Sequence, residues 1–404
     1  MHILLVADGR SPITAGWLRM LRGLGYRISL ISTFPCGQLE DANLVAVLPV
    51  GFASLAGGQT QHAGSSVKSK RKEFELKRRL IGAFRPTLLN TRAWLGPLTL
   101  GKFQTQLLDI VHELKPDIVH ALRIPFEGML AQVTPKEIPF LVSIWGNDLT
   151  LHARTSPLMG KGTRRALARA DGLLADARRD IRLAKEWGLR EEVPTLIVPG
   201  SGGLDFGKIK EAIKTIELPF NLPAHRPLVI NPRGFRPGSV HQETFFQSLP
   251  LVLEQVPDAF FVCPAMQGQQ QAEKWIRKFN IRDHVLLLPY LTQEQLWRLY
   301  ACSQVYVSLS SHDGTPNTFL EALVCGCFPV VGDIESLREW VKDGENGLLV
   351  DPRDAHAAAH AICRAIREEK LRKTAQRENY KFVSSRAEVD KVREQVADFL
   401  SAFQ

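Results

Sequence analysis

The chain has 404 residues, 45% of them hydrophobic and 23% charged, with a formal net charge of +9. That length exceeds what one growing core usually holds, so two domains of about 150 to 200 residues each are expected of an ordinary globular protein. No segment has the uninterrupted apolar length of a membrane span, because the longest candidate, DANLVAVLPVGFASLAGG, falls short and contains glycine and proline.

In chain order, the opening MHILLVADGR reaches Asp8 before any apolar region of signal length, so His2 to Ala7 reads as a first buried strand. Ala15 to Leu24 carries Trp17, Leu18, Leu21 and Leu24 at helical spacing, and Arg27 to Ser32 returns to β-rich residues. Between Lys68 and Arg92 nine basic residues face two acidic ones, with Leu76, Leu80, Ile81 and Phe84 at helical spacing among them. This stretch either rests on anionic headgroups or packs its apolar side on its own domain. Neither an aromatic platform nor a nucleic-acid-binding module accompanies the charge, which argues against nucleic acid.

Strands are then expected at Ile118 to Ala121, Phe140 to Ile144, Gly172 to Ala175 and Thr195 to Val198, with helices at Gly162 to Ala170 and Asp180 to Trp187 between them. Such alternation predicts a parallel sheet covered on both faces. The glycine-rich PGSGGLDFGK marks a boundary, dividing a first domain, 1–198, from a second, 199–375. The second series has strands at Leu228 to Asn231, Ala259 to Cys263, Val285 to Leu288, Val305 to Leu309, Phe328 to Val331 and Gly347 to Val350. Its helices are placed at Gln242 to Gln255, Gln269 to Phe279, Gln293 to Ala301, Thr318 to Val324 and Ser336 to Lys342. The helical tail, 376–404, is drawn as returning to the first domain. Two such sheets are expected to form a ligand cleft at their carboxyl strand ends.

The six cysteines lie mostly in apolar segments and none forms a CxxC pair, which reads as reduced thiols in a cytosolic compartment. Cys325-Gly-Cys327 is too tight for a metal cage, and no metal site is expected. GxGxxG, GxSxG and the metalloprotease helix motif are all absent, leaving dinucleotide oxidoreduction, acyl transfer and zinc hydrolysis without an anchor.

The densest chemistry lies in SLSSHDGTPNTFLEALVCGCFPVV, from Ser308 to Val331. A strand runs into a small polar loop and then a helix, for which Asn317 or Thr318 is the expected cap. Gly314 permits close backbone approach and Pro316 stiffens the turn. Free N–H groups at that helix start favour an anion such as a diphosphate. Glu321 is suited to a ribose diol and Asp313 to the sugar end of the same ligand; a capped helix with solvated acids is the plain alternative. In NPRGFRPGSVHQ, Arg233 and Arg236 follow the second domain's first strand and suit fork-like phosphate contacts.

In the first domain, His120 ends a strand and reads either as a pocket residue or as a structural one. SIWGNDLTLHARTS follows another buried strand: Gly146 allows close approach, Asn147 and Asp148 can orient hydroxyl groups, and Trp145 precedes them. Asp8, Gly9 and Arg10 follow the first strand.

The segment SHDGTPNTFLEALVCGCFPVVGDIESLREWVKDGENGLLVDPRD resembles the donor-site region of the retaining glycosyltransferases of family four, over Ile230 to Asp354 and more weakly through the first domain. The resemblance implies the GT-B fold, an α/β architecture of two Rossmann-like α/β/α domains facing each other across a cleft. It implies that Glu321 binds the nucleotide ribose, that Asp313 lies near the donor sugar in the place usually held by glutamate, and that Arg233 binds phosphate; Arg236 and the helix start at Asn317 and Thr318 are the further phosphate-binding candidates on the residues' own chemistry. His241 and Gln242 stand where lysine and glycine are usual, and Leu122 stands where many members have a second histidine after His120. Asp313, Arg233 and His120 are the expected catalytic set. Gly9, Arg10, Trp145, Gly146, Asn147 and Asp148 are expected to line the acceptor side.

The implied reaction moves a hexose-type sugar from a UDP- or GDP-sugar to a glycan, lipid-linked or small-molecule hydroxyl, without a divalent metal, in the cytoplasm or on the inner membrane face. A GT-B epimerase or phosphorylase, and a non-catalytic nucleotide-sugar-binding or membrane-interaction protein, are the alternatives.

Overall fold

The structure is a computed structural model describing residues 1–53 and 91–403. The basic stretch from Lys68 lies outside the described residues, apart from Thr91 and Arg92 at its end. Two compact units emerge: residues 1–175, 180–202 and 395–404 form one, while residues 176–179 join 203–394 in the other.

The first unit is a seven-stranded sheet of β1 (His2–Ala7), β2 (Arg27–Ser32), β3 (Asn43–Val47), β4 (Ile118–Ala121), β5 (Phe140–Ile144), β6 (Gly172–Ala175) and β7 (Thr195–Ile197). The order is β3-β2-β1-β4-β5-β6-β7, and every pairing is parallel. Parallel strands buried on both faces read as continuous apolar runs, which is why β1, β2, β4, β5 and β6 fall on their expected bounds. β3 was hidden inside a longer apolar run, and as an edge strand it is only partly buried.

The helix Pro12–Arg22 starts earlier than its apolar spacing suggested, because Ser11 caps it by accepting from the Ile13 N–H and Pro12 occupies the first turn. Ser156 caps Pro157–Arg169 in the same way, through the Met159 N–H. The final helix, Val389–Ser401, delivers Phe399 and Phe403 onto β6. A Cβ on Gly172 would lie 2.6 Å from the Phe403 ring, so glycine makes room for this closure.

The second unit is a six-stranded sheet of β8 (Leu228–Ile230), β9 (Phe260–Cys263), β10 (Val285–Leu287), β11 (Val305–Ser308), β12 (Phe328–Gly332) and β13 (Leu348–Val350), ordered β10-β9-β8-β11-β12-β13 and again all parallel. Alternation along β11 supplies two cores. Val305 and Val307 pack with Phe245, Phe246 and Phe261 on one face, while Tyr306 packs with Phe319, Leu320 and Tyr300 on the other. Each fully buried aromatic contributes roughly 1.5 to 3 kcal/mol of apolar transfer. The helix placed at Ser336 to Lys342 is shorter, Glu335–Arg338, and Gln293–Cys302 opens with a capping box between Thr292 and Gln295.

All six cysteines are free: Cys263, Cys327 and Cys363 are buried, and Cys36, Cys302 and Cys325 are partly so. Burial pushes the Cys325 and Cys327 thiols well above their usual range, which keeps them as unreactive thiols.

Candidate functional site

In the second unit the sheet order reverses between β8 and β11, and the chemistry-bearing residues leave the carboxyl ends of those two strands. After β8, buried Asn231 and Gln242 fasten the turn. The Asn231 amide donates to Gln242 Oε1 at 2.7 Å, and Gln242 Nε2 donates to the Gly234 carbonyl at 2.7 Å. Gly234 takes a left-handed φ of 58°, which throws Arg233 toward the loop after β11.

There Arg233 forms an ion pair with Asp313, and its Nη1 donates to Thr318 Oγ1 at 3.3 Å. Burial alone would lower the guanidinium pKa; the Asp313 carboxylate outweighs this and holds it above its ordinary value. Its Nε is buried without a hydrogen-bond partner. Ser310 donates to Asp313 Oδ2 at 3.2 Å. Arg236, on the exposed rim, donates from Nε to the Arg233 carbonyl at 3.2 Å, and the neighbouring Arg233 charge lowers its pKa.

The main chain of the loop is held as firmly as its side chains. Arg179 Nη1 and Ser336 Oγ both donate to the Asp313 carbonyl at 2.8 Å. Thr315 Oγ1 donates to the Asp176 carbonyl at 2.6 Å and accepts from the Trp340 indole at 2.9 Å. Gly314 passes so close to Asp176 that a Cβ would sit 2.2 Å from its Oδ1. Ser239 hydrogen-bonds to the His312 carbonyl, and His241 Nε2 pairs with Ser311 Oγ at 2.9 Å.

The helix Asn317–Val324 begins after Pro316, and no side chain caps it. Neither Asn317 nor Thr318 is the cap, so the first N–H groups stay open to an anion. Glu321 falls in the second turn of the helix and is only 4% exposed. Gln293 donates to Glu321 Oε1 at 2.8 Å, and burial raises the carboxyl from 4.5 to about 7. Arg233, Asp313 and Thr318 thus come together directly, with Arg236 bound to the Arg233 carbonyl. Glu321 and Asn317 lie on the same short helix as Thr318.

In the first unit, His120 lies inside the sheet, 2% exposed, between Leu5 and Leu141 in register. Its Nε2 pairs with Ser143 Oγ at 2.9 Å and its ring meets Trp17 edge-on. Burial lowers its pKa to about 3, so it stays neutral. Gly9 packs on Cys36, where a Cβ would lie 2.5 Å from the sulfur. Arg10 pairs with Asp8 through two bonds of 3.0 Å and covers the Phe34 ring at 3.8 Å.

Asp148 is buried and organises the loop after β5. It accepts from Arg123 at 2.7 Å and from the Ile124 and Trp145 amides at 3.2 Å. Trp145 stacks with Arg123, the Asn147 carbonyl accepts from Leu151 and His152, and the Gly146 carbonyl accepts from Thr150. Sequence reasoning did not single out Gln293, Asp176 or Arg179 as site residues, because each acts on a segment distant in the chain. Glu127, buried and donated to by Thr33 at 2.6 Å, also escaped notice. Among the described residues no group of three or more metal-ligating side chains is present.

Both units define a Rossmann-like architecture, and solved structures share it over the whole chain. Sucrose-phosphate synthase from Thermosynechococcus elongatus aligns with a TM-score of 0.72 at 16% identity, covering 100% of this chain and 98% of that one. HepE of Anabaena in complex with UDP and glucose aligns at 0.69 and 15% identity, covering 99% of each chain. Such likeness establishes the fold, GT-B.

The family model described as Glycosyl transferases group 1 matches residues 229–382, and that described as Glycosyl transferase 4-like matches residues 87–177. The two models together cover parts of both units and, with the two mannosyltransferase relatives below, support a glycosyltransferase of family four on the GT-B fold. It is 33% identical over 103 residues to the O-antigen chain mannosyltransferase B of Escherichia coli, covering 26% of this chain and 24% of that protein. It is 28% identical over 95 residues to the GDP-mannose:cellobiosyl-diphosphopolyprenol alpha-mannosyltransferase of Xanthomonas oryzae pv. oryzae, covering 24% and 25%. These matches span about a quarter of each curated relative's length.

Proposed function

We propose that this protein moves a hexose-type sugar from a UDP- or GDP-sugar to a hydroxyl acceptor with retention of configuration, in envelope polysaccharide or glycolipid synthesis. The observation that carries the reading is the Arg233–Asp313–Thr318 cluster at the uncapped start of helix Asn317–Val324, with Glu321 buried one turn further on. Arg233, Arg236 and the open amides of Asn317 and Thr318 would stabilise charge developing on the departing diphosphate. Glu321 would hold the ribose diol and Asp313 a sugar hydroxyl. The Xanthomonas relative, whose name carries GDP-mannose, makes that nucleotide sugar the first donor to try.

On the acceptor side we assign the loops after β1 and β5, with Gly9, Arg10, Trp145, Gly146, Asn147 and Asp148. His120, enclosed in the sheet, would act there as a positioning residue through Ser143.

We place the protein on the cytoplasmic membrane face. Trp94 and Leu98 are 54% and 68% exposed, and a trough of about 670 Å³ beside Trp94 is lined by Arg154, Lys161, Arg164 and Arg165. Aromatic and leucine side chains next to a basic surface suit an anionic lipid interface. Among the described residues no helix is long and apolar enough to cross a membrane.

Incubation with labelled GDP-mannose and UDP-sugars across lipid-linked and free glycan acceptors should give a labelled product, and its anomeric configuration should match the donor's. A folded sample that neither binds donor nor transfers sugar would refute the reading. Vesicle sedimentation should show binding to anionic but not neutral bilayers, weakened by salt and by Trp94→Ala; salt-independent or absent binding removes the membrane placement.

A further inference from the structure

At the reversal of the first sheet, between β1 and β4, three arginines gather with unequal partners. Arg10 is satisfied by Asp8, and Arg123 is bound to Asp148. Arg92 has no such partner: among the described residues no hydrogen bond or ion pair reaches its guanidinium. Instead it lies over Phe34 at 4.7 Å and over Phe126 at 4.5 Å. A guanidinium whose carbon lies over two rings still carries five N–H donors, and these match a planar or tetrahedral oxyanion through two parallel bonds.

Asp8 and Asp148 each bind one arginine directly, whereas Glu127, the carboxylate that acts most strongly on Arg92, makes no ion pair with it among the described residues. Phe126 is held against Arg92 in a left-handed backbone conformation, φ 70°, within a turn whose Gly51 and Gly96 neighbours would clash with its ring if they carried a Cβ. Arg123 adds an Nε that is buried without a partner.

We infer that Arg92 anchors an oxyanion of the acceptor, a phosphate or a carboxylate, at the carboxyl end of β1 and β4, so that the acceptor is an acidic glycan or a phosphate-linked one. This rests on the transferase reading for the word acceptor; the oxyanion site itself stands on the geometry of Arg92, Phe34 and Phe126.

The test is calorimetric titration of the full chain with inorganic phosphate, with glucuronate and with glucose, each in saturating GDP to occupy the second unit. At least one oxyanion should bind and glucose should not. Arg92→Gln should weaken that binding tenfold or more and Arg92→Lys should weaken it less, while GDP affinity and the melting temperature stay unchanged in both variants. Tighter phosphate binding identifies a phosphate-linked acceptor, and tighter glucuronate binding an acidic sugar. Equal oxyanion affinity in wild type and Arg92→Gln, or no binding of either oxyanion, overturns the inference. Loss of oxyanion binding in Arg92→Gln, in a protein that binds neither GDP nor UDP, upholds the site and removes the transferase reading instead.

Discussion

Glu321 is a carboxylic acid whose environment sets its working range. Its ordinary value of 4.5 rises to about 7 because burial disfavours the anion, and the Gln293 amide donating to it at 2.8 Å offsets only part of that rise. A ribose diol donates two hydrogen bonds and so favours the ionised form. Donor affinity should therefore fall as pH drops below about 7, and calorimetry between pH 5.5 and 8 on wild type and Glu321→Gln checks it, the variant binding weakly and without that slope. Stability moves the other way. The folded protein holds this proton at pH values where the unfolded chain has released it, so stability falls from about pH 4.5 to about 7 and then levels, by on the order of 3 kcal/mol for this group alone. Glu321→Gln should lose that fall in denaturant melts; an unchanged slope would mean the carboxyl is not desolvated. Arg233 and Asp313 were readable from sequence because both lie at ends of apolar strands, where polar residues stand out. Gln293 was not, since nothing local links a residue at the start of one helix to an acid in the next.

At the level of elements, strands buried on both faces were legible nearly to the residue, whereas helix ends depended on caps. Ser11 and Ser156 moved two helices toward the N-terminus, and Pro316 replaced the expected side-chain cap with none. That last difference matters most for the site, because an Asn or Thr cap would have consumed the amides that an anion needs. The strand β12 ends in Gly332, where a Cβ would lie 2.2 Å from the Ser310 carbonyl oxygen. Backbone on both sides cannot yield cheaply, and Ser310 carries Asp313 through its hydroxyl. Gly332→Ala is expected to cost about 1–3 kcal/mol in denaturant unfolding and to weaken donor binding together with it. A destabilised variant with wild-type donor affinity would show that the loop moves independently of the strand end.

Across the whole molecule, each unit has its own sheet and its own cores, so unfolding need not be a single transition. Scanning calorimetry should resolve two overlapping components, and GDP should raise the midpoint of one of them by mass action on the second unit. Equal shifts of both would show that the units unfold as one.

Residues 176–179 belong to the second unit although the chain enters them from β6 of the first. They supply the Asp176 carbonyl to Thr315 and the Arg179 guanidinium to Asp313, while Glu339 receives the Arg178 and Arg179 amides at 3.0 Å. A boundary placed by eye in the glycine-rich segment near residue 200 would therefore sever the loop carrying Asp313 from its support. Chimeras that exchange donor specificity between relatives must graft this tetrapeptide with the C-terminal half, and ribosomal synthesis presents it to a partner loop that emerges more than a hundred residues later.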